Sequence, residues 1–215
     1  MENLKHRLIA IDPSLTCSGW ALFEIGHGRL LGVGKIRSLS SALPLADRLT
    51  DLQAKIRGLF EQTSLCLNDV LVCEAATTMR DPKAAMKVEQ VRGIFEVVAR
   101  ERGLEVPGRL NPRSVHSEVM GLKGKQLPRA LIKSAAVDVV GRLFGRELNT
   151  IGFGSDLLSL QKHQDVVDAL LIGYLALSRI RSASVAGVSL SDVFVERITG
   201  RGLRVKRRVL EAKVI

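Results

Sequence analysis

Four acidic side chains carry the pattern in this sequence that could do chemistry. Asp12 closes the apolar run "RLIAID" and Glu74 closes another, "DVLVCE". Asp165 and Asp168 stand three apart at the start of "QDVVDALLIGYLAL", and helical residues three apart share a face. If the two apolar runs are neighbouring strands, Asp12 and Glu74 meet at one sheet edge and a helix start supplies the other pair. Carboxylates about 4 Å apart repel by about 4 kcal/mol per pair at an effective dielectric of 20, so such a cluster calls for cations. Carboxylate oxygens are hard ligands and suit Mg²⁺ or Mn²⁺. Two such ions can activate a water and stabilise the leaving oxygen in phosphodiester hydrolysis. Taken singly, each acid has a plainer reading. Asp-Pro opens turns, and acids in a first helical turn favour the positive end of the helix dipole.

The charge of the chain agrees with a polyanionic partner. Lys and Arg total 32 against 22 Asp and Glu, a net charge of +10 and a pI near 10.0. Nucleic acid is the leading partner for such a surface, with a merely soluble basic protein as the alternative. Cys17, Cys66 and Cys73 form no CxxC pair, which argues against a zinc site or a disulfide framework. Together with the lack of a secretory leader pattern, they predict a reducing, cytoplasmic setting. The apolar stretch within 169–177 reads as too short to span a bilayer.

The elements that must position the acids follow from hydrophobic periodicity. Three strands are predicted near 7–12, 18–25 and 29–38, joined by short turns as a meander. Apolar residues then fall at helical spacing over 45–62. A buried strand at 69–76, a helix at 82–102 and an edge strand within 104–112 follow, with its prolines marking the edge. A short helix near 113–120 leads into the Gly/Lys loop "GLKGKQLP", and helices are predicted at 128–144 and 163–181. A meander feeding βαβ crossovers implies an α/β fold, a mixed five-stranded sheet flanked by helices. From Ser182 the composition turns small and then basic. The reading is therefore one domain over 1–181 and a basic C-terminal extension over 182–215.

Four segments, in order, resemble the RuvC-type Holliday-junction resolvases of the RNase H-like (retroviral integrase) superfamily. "IAIDPSLTCSGWALFE" is similar to that family's first motif, with Ser14 where glycine is usual. "LVCEAATTMRDPKAAMKVEQVRGIF" resembles the second, an acid at a strand end and a helix closing in Arg92-Gly93. "LNPRSVHSEVMGLKG" resembles the third, and "HQDVVDALLIGYLAL" the last. The resemblance covers about residues 7–180. It implies an RNase H-like fold, a homodimer, and paired nicks in a four-way DNA junction that leave 5′-phosphates. It implies further that Asp12, Glu74, Asp165 and Asp168 are the catalytic acids and the ligands of two Mg²⁺ or Mn²⁺ ions per site.

Several positions depart from that family's pattern. Its aromatic wedge after the second acid is replaced by Ala75-Ala76-Thr77-Thr78-Met79, where Met79 could insert as an apolar wedge. A Val-Lys pair in the third motif is here Val115-His116. Phosphate contacts are then expected from Lys123, Lys125 and Arg129, with Arg80, Lys83 and Arg92 as further DNA-binding candidates. His163, just before the acid pair, reads as a helix-cap residue. The basic extension could add non-specific DNA affinity by counterion release or dock recombination or replication proteins. Two alternatives remain open. One is a structure-specific nuclease acting on forks, flaps or other branched DNA; the other is a non-catalytic branched-DNA-binding module on the same fold. An actin-like ATP-binding domain, suggested by "IDPSLTCSGWAL", needs a longer chain.

Overall fold

The computed structural model of the chain describes residues 6–75, 81–122 and 127–194. The apolar runs form five strands: β1 (Arg7–Asp12), β2 (Cys17–Glu24), β3 (Leu30–Arg37), β4 (Val70–Glu74) and β5 (Arg109–Leu110). They make one sheet in the order β3-β2-β1-β4-β5. The meander β1–β2–β3 is antiparallel, and β4 and β5 join in parallel. Parallel neighbours need long crossovers. Here α1 (Leu45–Gln62) carries the first and α2 (Pro82–Glu101) the second. This is the mixed, helix-flanked sheet that the residue order predicts.

β1 lies at the centre and is buried on both faces, which explains why it reads as an unbroken apolar run. Leu8 and Ala10 join one core with Phe23, Val72 and the later helices. Ile9 and Ile11 join the other, with Leu52, Ile56 and Phe60 of α1 and Val91 and Phe95 of α2. Short α3 (Pro112–Ser114) runs into a π-helical turn over Val115–Val119, and α4 (Arg129–Thr150), α5 (Leu157–Lys162), α6 (Gln164–Ala186) and α7 (Leu190–Phe194) follow.

Helix α6 packs across β1 and β2 and holds the site together. Val166, Val167, Leu170, Leu171 and Leu175 are all buried, each contributing about 1.5–3 kcal/mol by leaving water. Gly173 lets the ring of Phe23 lie directly against the helix backbone. Gly187 then ends the helix at φ 62, a left-handed cap for which glycine is suited. By length and composition α6 could cross a membrane, contrary to the reading of 169–177 as too short. The window concerned is 56% buried inside the protein, as a central core helix is.

The structure differs from the predicted elements at four places. α4 continues six residues beyond 144, because Leu148 returns to the core one turn after Phe144. β5 pairs over two residues only, since Pro107 and Pro112 lack the N–H that a longer ladder needs. The short helices α5 and α7 have no periodic run long enough to announce them. The division drawn at residue 182 falls inside α6, and Phe194, 1% exposed, packs into the core. Residues 195–215, which hold most of the basic extension, lie outside the described residues.

Candidate active site

The site is built on a row of three residues across three strands. Asp12, the last residue of β1, pairs with Gly19 of β2, and Gly19 pairs with Lys35 of β3. Cross-strand partners project to the same face, here the face covered by α6. Gly19 leaves a gap in that row, and the first turn of α6 fills it. A Cβ at Gly19 would collide with the main-chain carbonyl of Asp165. Asp165 is thereby seated between the strand that carries Asp12 and the strand that carries Lys35. The Lys35 Nζ lies 3.0 Å from its Oδ2. On the other side of β1, the parallel register runs to Ile11 beside Cys73, which brings Glu74 level with Asp12. Asp168 follows Asp165 by three residues, on the same side of the helix.

Burial and the neighbouring charges both act on the acids. Burial, then the charges of Glu74, Asp168 and Asp165, hold the Asp12 carboxyl well above the usual range. Burial, with Asp168 adding to it and Arg92 opposing, pushes Glu74 up to about 7. Burial and then Asp165 push Asp168 up to about 6, against Lys133 and Arg129. Each of the four residues keeps some exposure to solvent.

Among the described residues, no three His, Cys, Asp or Glu side chains stand together as a ready-made metal cage. The four acids are gathered at one sheet edge but not drawn onto a common point. Their mutual repulsion opposes closer approach, and Lys35 holds Asp165 toward β3. The donor set nevertheless suits a hard dication: four carboxylates with no thiolate among them. The raised pKa values of Glu74 and Asp168 express burial and crowded negative charge, which a cation relieves.

A second layer holds Glu74 in place. Arg92, predicted as a DNA contact, is 1% exposed, and its Nε donates to the main-chain carbonyl of Glu74 at 2.6 Å. It also pairs with Glu89, which accepts from Arg109 at 3.1 Å, and Arg109 grips Glu96 at 2.7 and 3.0 Å. A guanidinium enclosed in this way positions the strand end and presents no face to a duplex. Lys83 and Arg129 are exposed at the starts of α2 and α4. Met79, Arg80, Lys123 and Lys125 lie outside the described residues.

Two histidines flank the acids. His163 occupies the N-cap position of α6 through its backbone, whose carbonyl accepts from Val166 and Val167. Its side chain makes no cap bond: the ring packs on Phe153 at 5.2 Å, and its buried Nδ1 has no partner among the described residues. His116, in the π-helical turn, lines a cavity of about 20 Å³ with Glu74 and Asp168. Burial lowers its pKa, so the ring is neutral near pH 7.

Sequence reasoning missed Gly19, Lys35 and Lys133. For Gly19 a signal existed: a glycine inside a strand pattern marks close approach of another backbone. Lys35 and Lys133 carry none, because a lysine on a strand or helix surface is ordinary until its neighbour is known.

Residues 8–130 match the family model described as crossover junction endodeoxyribonuclease RuvC. Two relatives of that description come from Chelativorans sp. and Parvibaculum lavamentivorans. The first is 36% identical over 118 residues, 54% of this chain and 66% of the relative. The second is 34% identical over 114 residues, 53% of this chain and 63% of the relative. The chain thus matches just under two-thirds of each relative's length. Among solved structures, the T. thermophilus RuvC in complex with a Holliday junction substrate superposes with a TM-score of 0.59 at 18% identity. That match covers 84% of this chain and 96% of the other. A fowlpox virus Holliday junction resolvase gives a TM-score of 0.52 at 12% identity, over 81% and 99% of the two chains. At these identities the structural likeness concerns the fold.

Proposed function

Given that this chain belongs to the crossover junction endodeoxyribonuclease RuvC family, we propose that it is a divalent-metal-dependent endodeoxyribonuclease that resolves four-way DNA junctions. The observation that carries this reading is the placement of Asp12, Glu74, Asp165 and Asp168 at one sheet edge by strand register and by the seating of α6 on Gly19, where their charges raise one another's pKa values. These acids are the catalytic centre and the ligands of Mg²⁺ or Mn²⁺, two ions per site. Bound there, the ions supply a nucleophilic water and charge stabilisation at the phosphate. The chain's own residues orient the carboxylates and hold the strand. Gly19 and the α6 core fix Asp165 and Asp168, and Arg92 fixes the end of β4. Attack of water at phosphorus breaks the bond to the 3′ oxygen, so each nick carries a 5′-phosphate.

Exposed cations around the acids hold the flanking phosphates. Lys133 and Arg129 already act on Asp168 from the start of α4, and Lys83 stands at the start of α2. Met79, Arg80, Lys123 and Lys125 complete the DNA-binding set by their places in the sequence, between β4 and α2 and before α4. A second copy supplies the second cut. On α2, Met86 and Val97, 66% and 51% exposed and three helical turns apart, offer an apolar stripe for that copy to cover. The cytoplasm, where DNA is recombined and repaired, suits three cysteines of which none is paired. The basic extension over 195–215 adds phosphate affinity or docks recombination proteins.

The test is cleavage of a synthetic four-way junction, a fork, a flap and a plain duplex, each with Mg²⁺, with Mn²⁺ and with EDTA. Symmetric paired nicks in the four-way junction alone support the reading. Preference for a fork or flap reassigns the substrate. Binding without cutting under every metal turns the chain into a branched-DNA-binding module.

A further inference from the structure

The reading above leaves one cation at the acids without a role. Lys35 is 14% exposed, low for a lysine, and its ammonium sits on Asp165 rather than in solvent. It also lies 3.5 Å from the main-chain carbonyl of Lys162, just before α6. The anchors are the end of α5 and the first turn of α6, and Lys35 reaches them because Gly19, its strand neighbour, leaves no side chain in the way. The charge therefore ends on Asp165, one of the four acids of the site.

Two charges cannot share Asp165 on equal terms. At the same distance a dication repels an ammonium twice as strongly as the ammonium attracts a carboxylate, by the product of charges. An ion that uses Asp165 must displace the Lys35 head. The Lys162 carbonyl and the enclosed stem keep the displaced head within a few ångströms of its first position. There it is an unpaired ammonium at the rim of the site. Arg37 stands two residues along the same strand on the same face, and is exposed. An ammonium and a guanidinium side by side form a receptor for a DNA phosphate.

We propose that Lys35 is a positioning residue that holds Asp165 until a divalent ion takes that carboxylate, and is then released to bind a DNA phosphate beside the ion. Metal uptake and strand binding are coupled through this one side chain. The metal-free protein keeps Asp165 paired, and the loaded protein gains a phosphate contact. This rests on the nuclease reading, since it requires that Asp165 be a metal ligand.

The test compares wild type with Lys35→Gln and Lys35→Arg. Mn²⁺ uptake by the DNA-free protein is measured by titration calorimetry, and four-way junction affinity by gel shift in Ca²⁺ and in EDTA. Melting curves in EDTA establish that each variant is folded; should Gln unfold the site, Lys35→Met keeps the packing of the stem and carries the same comparison. The expected result is that Lys35→Gln binds Mn²⁺ several-fold more tightly than wild type, yet loses most of the gain in junction affinity that Ca²⁺ brings. Lys35→Arg, with its charge kept, should stay near wild type in both. Unchanged or weaker Mn²⁺ binding by Lys35→Gln overturns the proposal, as does an undiminished Ca²⁺ gain. A wild-type protein that takes up no Mn²⁺ brings down the nuclease reading as well. A wild-type protein that takes it up, with Lys35→Gln no tighter, brings down the role of Lys35 alone.

Discussion

The main-chain carbonyl of Asp165 lies in the space that a side chain on Gly19 would occupy. This one contact sets the depth at which α6 meets the sheet, and with it the approach of Asp165 and Asp168 to Asp12. Gly19→Ala adds a single methyl group against backbone rather than against a yielding side chain. Overpacking of this kind costs about 1–3 kcal/mol. The expected outcome is a lowered melting temperature with α6 displaced, and loss of most junction cleavage even where the variant remains folded. Wild-type cleavage rates in Gly19→Ala would show that the site tolerates a looser helix.

Glu74, pushed up to about 7, and Asp168, up to about 6, hold protons in the folded protein that the unfolded chain has already released. A carboxyl raised in this way favours folding below its unfolded pKa, and that contribution is lost as pH rises through the folded value. The metal-free protein should therefore lose stability between about pH 4 and 7, measured by urea denaturation in EDTA, with an amplitude of about 3 kcal/mol for each of the two carboxyls. Mn²⁺ should restore stability at the upper end of that range, where protons no longer compete for the carboxylates. A flat profile in EDTA would mean that the acids are not crowded.

Removing one negative charge relieves the same repulsion. Asp12→Asn is expected to abolish cleavage, keep junction binding near wild type, and raise the metal-free melting temperature at pH 8. Asp12 suits this test because three other acids act on it. Loss of junction binding would instead assign Asp12 a structural part.

Arg92 separates a structural cation from a DNA contact. Its guanidinium is enclosed and bonded to the Glu74 carbonyl and to Glu89. Breaking a buried pair by removing one partner costs about 3–5 kcal/mol. Arg92→Met should destabilise the protein by that order in urea denaturation. The salt dependence of junction binding by the surviving folded protein should stay unchanged. A shallower salt slope would return Arg92 to the phosphate-binding surface.

The sequence by itself determined the sheet, its flanking helices and the four acids. Two signals carried them: unbroken apolar runs ending in Asp12 and Glu74, and a helical period beginning with Asp165 and Asp168. These are local properties, since a strand buried on both faces and a helix buried along most of its length must be apolar wherever they pack. Tertiary structure decided what surrounds the acids. Arg92 reads as a surface charge in sequence and becomes a buried clamp, because its helix turns that face toward the end of β4. Lys35 reads as one lysine among many, and becomes the partner of an acid 130 residues away because Gly19 opens the row between them. Partners so distant along the chain are set by register and by how closely a helix can approach a sheet. Gly19 marks in sequence that some backbone comes close, but which helix comes, and which lysine then meets which acid, is decided by packing.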